Sequence, residues 1–156
     1  MIRDSGYRFV NIVGGLRFAE AQLGARPYGR HMPGIARFRV TALDTRDPVA
    51  LAHFYSSLTG LPIREGDLTP DTDWVELDAG GAATIACQLS PGHIPPEWPG
   101  EEHPQQAHLD FAVPDLDEGE AKVLELGARK TETQPDDTWR VFLDPGGHPF
   151  CLVPEH

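Results

Sequence analysis

Residues 35 to 43 read IARFRVTAL, alternating apolar and polar positions with the period of two that marks a strand with one buried face. The period then changes. Leu51, Phe54, Tyr55 and Leu58 recur at i, i+3, i+4 and i+7, the stripe of a surface helix. Asp47 is placed to cap that helix, Pro48 sits at its first position, where a missing N–H costs nothing, and Gly60 supplies a left-handed stop. Shorter strand patterns follow at 62–64, 74–77 and 82–89, with Ala79-Gly80-Gly81 as a hairpin turn. The same order then returns. A strand at 106–113 precedes a helix opened by a capping box of Asp115 and Glu118, with Leu116, Val123 and Leu124 among its buried positions and Gly127 as its stop. Strands at 128–131, 139–143 and 149–153 complete the second set.

The two halves lie in register. Asp47 and Asp115 are 68 apart, Gly60 and Gly127 67, Trp74 and Trp139 65, and Asp78 and Asp144 66. Internal repetition of this kind predicts an α+β fold of two tandem βαβββ modules, 35–90 and 106–154, joined by the linker 91–105. That linker, PGHIPPEWPGEEHPQ, has five prolines and reads as stiff and extended.

Composition narrows the partners. The chain has 156 residues, 40% of them hydrophobic, enough for one core. Its net charge of −11 is uneven: residues 1–31 carry five Arg against Asp4 and Glu20, for +3, and the remaining 125 carry eight basic against 22 acidic residues, for −14. An acidic body repels phosphate backbones and anionic lipid, so neither nucleic acid nor a membrane is an expected partner. No apolar run reaches the roughly 20 residues of a membrane span, and a cytoplasmic location is the expectation. Residues 1–34 read as an N-terminal extension: either a segment upstream of a start at Met32, or a basic arm that packs on the acidic body. Cys87 and Cys151, each in an apolar run, read as reduced and buried.

The opening LDTRDPVALAHFYSSLTGLPI, the middle HLDFAVPDLDEGEAKVLELGA and the close DPGGHPFCLVP, set in two βαβββ modules, resemble the vicinal oxygen chelate superfamily, and within it the glyoxalase-like branch. The resemblance covers residues 35–156 and implies curled mixed sheets around a central cavity, with small-molecule ligands and a homodimer. In metal-dependent members, first and last strands of each module supply the ligands. Those positions fall here on Val40 or Thr41, Gln88, His108 and Cys151. His108 matches well, Gln88 tolerably, and the other two depart, which leaves a divalent ion such as Zn, Ni, Fe or Mn short of compensating charge. No metal is therefore expected; were one bound, His108 and Gln88 would be its ligands.

Each candidate also has a structural reading. On alternation His108, Asp110 and Ala112 face the cavity while Leu109, Phe111 and Val113 face the helix. His108 and Gln88 are ligand contacts or merely hydrogen-bonded wall residues. Asp110 becomes an acid or base only if desolvated. Cys151 lines the cavity as an apolar residue, and small Thr41, Ala86 and Ala112 leave it open. Trp98 in the proline-rich linker is a packing plug or a stacking surface for a planar ligand, with His93 and His103 at the cavity mouth. His53 and His148 are expected to face solvent. Three functions follow from different classes: a metal-independent binder of a small planar or hydrophobic, preferably cationic, molecule; a metal-dependent lyase, isomerase or epimerase acting on adjacent oxygens; or a closed-cavity interaction module. The first fits the missing carboxylates best.

Overall fold

The computed structural model describes residues 38–155 apart from Glu65, Asp67, Pro70, Gly81 and Ala82. The expected extension at 1–34 lies outside the described residues, as does the beginning of the first predicted strand. Along the chain run β1 (Thr41–Thr45), α1 (Pro48–Thr59), β2 (Trp74–Asp78), β3 (Ala83–Leu89), β4 (Leu109–Val113), α2 (Leu116–Glu125), β5 (Arg129–Lys130), β6 (Arg140–Leu143) and β7 (Pro149–Pro154).

Local chemistry sets the helix ends. The Asp47 carboxylate accepts from the Ala50 N–H at 2.9 Å, Pro48 occupies the first turn, and Gly60 closes α1 at φ +73°, its N–H donating to the Ser56 carbonyl. In α2 the Asp115 carboxylate accepts from the N–H groups of Asp117 and Glu118, both at 2.9 Å. Glu118 pairs forward with Lys122 at 3.7 Å, and the helix ends at Leu126, with Gly127 just beyond at φ +99°.

The two modules share a topology. One sheet has the order β1-β3-β2 and the other β4-β7-β6-β5; β1 runs parallel to β3, and β4 parallel to β7, with every other pairing antiparallel. The strand expected at 62–64 is reduced to a single bridge, Ile63 to Leu77, flanked by hydrogen bonds from Arg64 N to Glu76 O and from Asp78 N to Pro62 O. Both parallel strands also start later than the pattern suggested, at Thr41 and Leu109.

One core serves both modules. Leu51, Phe54 and Tyr55 of α1 join Val75, Leu77, Ile85 and Cys87 from the first sheet to Phe142, Phe150 and Leu152 from the second. Phe54 meets Phe150 edge-on at 5.8 Å, and Tyr55 lies 5.9 Å from Phe111. Truncating Phe150 to Ala would cost about 3–5 kcal/mol at such a site. Each sheet therefore turns its back on the shared core, and its other face is open. The sheets are not closed on one another.

Two expectations are corrected. The linker does not run extended but doubles back: Glu97 N donates to His103 O at 2.7 Å, and Glu97 bridges Pro104. Its Pro95 lies where a Cβ on Gly147 would come within 2.5 Å, so only glycine, here at φ +90°, lets the linker close over the 144–148 turn. His148 does not face solvent either. Its side chain is 14% exposed, its ring Nδ1 lies 3.0 Å from the fully buried Asp144 carboxylate, and its ring centroid lies 4.9 Å from that of His93, the two planes tilted by 30°. A buried carboxylate needs donors, and the turn supplies one of them through His148.

Candidate functional site

Register decides which side chains share a face. In β4, Leu109, Phe111 and Val113 pack against the core, and Asp110 and Ala112 are exposed on the opposite side; His108, one residue before the strand, keeps that alternation. Asp110 pairs with Cys151 of β7, and Cys151 with Val141 of β6, so these three side chains stand in a row on the open face. His108 Nε2 lies 3.3 Å from an Asp110 oxygen. The ligand atoms of His108, Asp110 and Cys151 all lie within 4.8 Å of one another.

Beside this row is a small cavity of about 80 Å³, walled by Trp98, Gln105, His108, Trp139, Val141, Pro149 and Cys151. Gln105 Oε1 is buried there without a hydrogen-bond partner, an acceptor left for a donor group. Cys151 is 6% exposed, and its thiol is pushed up to about 12, first by burial and then by the hydrogen bond to Asp110 and the charge of that carboxylate. At neutral pH and without a metal it is a thiol, not a nucleophile.

The remaining predicted residues lie elsewhere. Gln88 is exposed on the open face of the first sheet, paired across with Asp44 and Trp74. Close by, Glu76 accepts from Trp74 Nε1 at 3.1 Å and from Arg39 at 2.9 Å, and it also pairs with Arg64. The Arg39 hydrogen bond is the largest cause that holds the Glu76 carboxyl below its ordinary 4.5. Thr41 was assigned to the wrong face. It pairs with Ile85 and shares the core-facing side with Leu43, while Ala42 and Asp44 take the open side. The repeat then aligns Ala42 with Asp110, at a shift of 68, and Ala86 with Cys151, at a shift of 65. The first module thus has two alanines where the second has a carboxylate and a thiol.

Sequence reasoning missed Gln105, Val141 and Asp44 as wall residues, and used Trp139 only as a marker of the repeat. Counting the alternation of TALDT from its register partners would have found Asp44. No local signal marks Gln105. His93 and His103 border a second, larger cavity of about 450 Å³ with Asp44, Ile94 and His148.

The donor set can be tested against a divalent ion. An imidazole nitrogen, a carboxylate oxygen and a thiol suit a borderline ion such as zinc, and are a poor match for Mg²⁺ or Ca²⁺, which want oxygen alone. Three protein ligands with a fourth position open is also the count of catalytic zinc sites. The residues fit such an ion, and Gln88 is not among them.

Residues 40–153 match the family described as the glyoxalase-like domain, and the chain belongs to that family. Its fold is that of the vicinal oxygen chelate superfamily. Among solved structures it resembles a glyoxalase/bleomycin resistance protein/dioxygenase family enzyme from Burkholderia phytofirmans PsJN, at 20% identity and TM-score 0.54 over 74% of this chain and 95% of that one. The trypanothione-dependent glyoxalase I of Leishmania major is similar at 17% identity and TM-score 0.54, over 77% and 87%. The fosfomycin resistance protein FosX of Listeria monocytogenes is similar at 14% identity and TM-score 0.57, over 79% and 96%. These likenesses are of fold. No curated protein sequence matches the chain. Among the described residues, no helix is long and apolar enough to cross a membrane.

Proposed function

We propose that residues 35–156 form a small-molecule-binding unit whose ligand sits against the open face of the second sheet. The observation that carries this reading is the cavity between Trp98 and Trp139, with the unpaired Gln105 Oε1 on its wall. Two indoles favour a flat molecule, the unpaired acceptor favours a ligand with an N–H or O–H donor, and the charge of −14 outside residues 1–31 favours a cation. At about 80 Å³ the space holds only part of a drug-sized molecule, and pockets that bind such ligands are several times larger. The open faces of both sheets supply the rest: a second copy laid against them would complete the wall, and the unit acts as a homodimer.

A fluorescence titration with cationic aromatic compounds tests the reading. A ligand between Trp98 and Trp139 should quench tryptophan emission saturably and raise the melting temperature, and Trp98→Ala should remove the quench. If no compound in a broad panel quenches or stabilises the protein, the reading fails. Sedimentation over a concentration series tests the dimer.

The His108, Asp110 and Cys151 cluster favours a second reading, a metal-dependent lyase, isomerase or epimerase. A bound divalent ion would polarise one of two adjacent substrate oxygens. Turnover of a hydroxyketone or hemithioacetal that depends on added metal would support it over the first.

A further inference from the structure

We propose that the cavity between β1, the linker and the 144–148 turn is a site for a primary ammonium ion, a small protonated amine that donates its N–H groups to a wall made of acceptors. This cavity shares no lining residue with the tryptophan-walled one, and the proposal does not rest on the ligand placed there.

Hydrogen bonding decides what the wall offers. The Asp144 carboxylate can only accept, so the His148 Nδ1 that lies 3.0 Å from it carries the proton of the ring, and in the neutral ring Nε2 is left as an acceptor. His93 is fixed in the opposite sense. Its Nε2 lies 3.1 Å from the Gly146 carbonyl, which also only accepts, so its Nδ1 is the nitrogen left without a proton. Among the described residues neither His148 Nε2 nor His93 Nδ1 has a hydrogen-bond partner, and neither is buried without one. The His148 ring is also held in place, because the Tyr55 hydroxyl fixes Asp144 at 2.7 Å. A third acceptor comes from Asp44, exposed on the edge strand β1 and without an ion pair among the described residues. No Lys, Arg, Ser or Thr lines this cavity among the described residues. Such a wall opposes carboxylates and phosphates and suits a positive group with several donors; an ammonium has three donors and no acceptor. At about 450 Å³ the space lies within the roughly 300–1,000 Å³ of small-molecule sites, and exposed Ile94 with Pro96 offers an apolar surface to the ligand's carbon atoms.

Nuclear magnetic resonance titration of the full chain with cyclohexylamine, an ammonium at neutral pH and without an aromatic ring, tests the site. Saturable shifts should centre on Ala42, Asp44, Ile94 and His148, with the indole N–H signals of Trp98 and Trp139 unmoved. Its trimethylammonium counterpart keeps the charge but has no N–H, and should bind at least about 10-fold more weakly, the loss expected for charge-assisted hydrogen bonds. Asp44→Asn changes an exposed side chain and should weaken cyclohexylamine roughly 3–5-fold. His148→Asn should weaken it at least about 10-fold. Should that variant fail to fold, the ring-nitrogen shifts of the native protein decide, because they must show His148 as a neutral ring protonated on Nδ1. The proposal is overturned if cyclohexylamine gives no saturable shift, if the trimethylammonium compound binds as tightly, if Asp44→Asn changes nothing, or if the His148 ring is an imidazolium. Shifts confined to Trp98 and Trp139 would also overturn it, while leaving the reading of the tryptophan-walled cavity standing.

Discussion

Replacing Tyr55 with Phe tests whether the modules are joined by more than apolar contact. Tyr55 comes from α1 of the first module, and its hydroxyl donates at 2.7 Å to Oδ2 of Asp144, which opens the β6–β7 turn of the second. Asp144 is 1% exposed, and its other donors are the His148 N–H at 2.9 Å and the His148 ring at 3.0 to 3.1 Å. Phe keeps the ring contacts to Phe54 and Phe111, so only the hydroxyl is lost. A hydrogen bond to a buried charge is worth about 1.5–3 kcal/mol, and for a domain of this size about 1 kcal/mol moves the melting temperature by about 4 °C. Calorimetric melting at neutral pH should therefore show a fall of about 6–12 °C, in a single transition. Asp144→Asn in the Tyr55→Phe background should cost less than in the wild type, because the lost partners interact. A shift under about 2 °C, or two transitions of which only one moves, would refute the shared-core argument.

Three further outcomes are expected. Lys130 donates to Glu120 at 2.8 Å, and that bond is the largest cause holding the Glu120 carboxyl below its ordinary 4.5. A depressed folded value means the stabilisation is present above 4.5 and disappears as pH falls through the folded value, so Glu120→Gln should flatten the acid limb of a melting-temperature profile against pH. Cys87 and Cys151 are both pushed from 9.0 up to about 12, so a thiol reagent should label neither quickly in the native protein at neutral pH and both quickly in denaturant; stability should fall as pH rises from 9.0 toward 12, where only the unfolded thiols ionise. Asp47→Ala removes the cap of α1 and should cost about 0.5–2 kcal/mol in denaturant unfolding, with Asp47→Gly milder.

The fold was legible because the sequence carries it in signals that act locally. Asp47, Pro48 and Gly60 fix α1 wherever the rest of the chain lies, and the doubled spacing of Asp, Gly and Trp exposes the duplication. The third strand of the first module was less legible, since at 62–64 only Ile63 pairs and tertiary context decides the rest. Part of the site was legible too. The alternation of HLDFAV brings His108 and Asp110 to one face, as the burial of Leu109, Phe111 and Val113 on the other requires. Thr41 was misplaced because a one-residue error in register reverses every side chain of a strand. His148 was misread because its partner, Asp144, is an acid whose burial depends on Tyr55, a residue 89 positions away.

Duplication supplied two open faces, but their chemistry has diverged. On the first, the Glu76 carboxylate is already answered by Arg39, Arg64 and Trp74. A ligand arriving there must compete with contacts the protein makes to itself. On the second, Gln105 has a buried oxygen with no donor, and the polar atoms of His108, Asp110 and Cys151 lie within 4.8 Å of one another. Leaving a buried acceptor unpaired costs about 1–3 kcal/mol, a cost that a bound donor recovers. Affinity should therefore concentrate on the second face, with the Arg-bridged first face acting mainly as a preorganised wall; disrupting Glu76 should change the melting temperature more than it changes ligand quenching at Trp98.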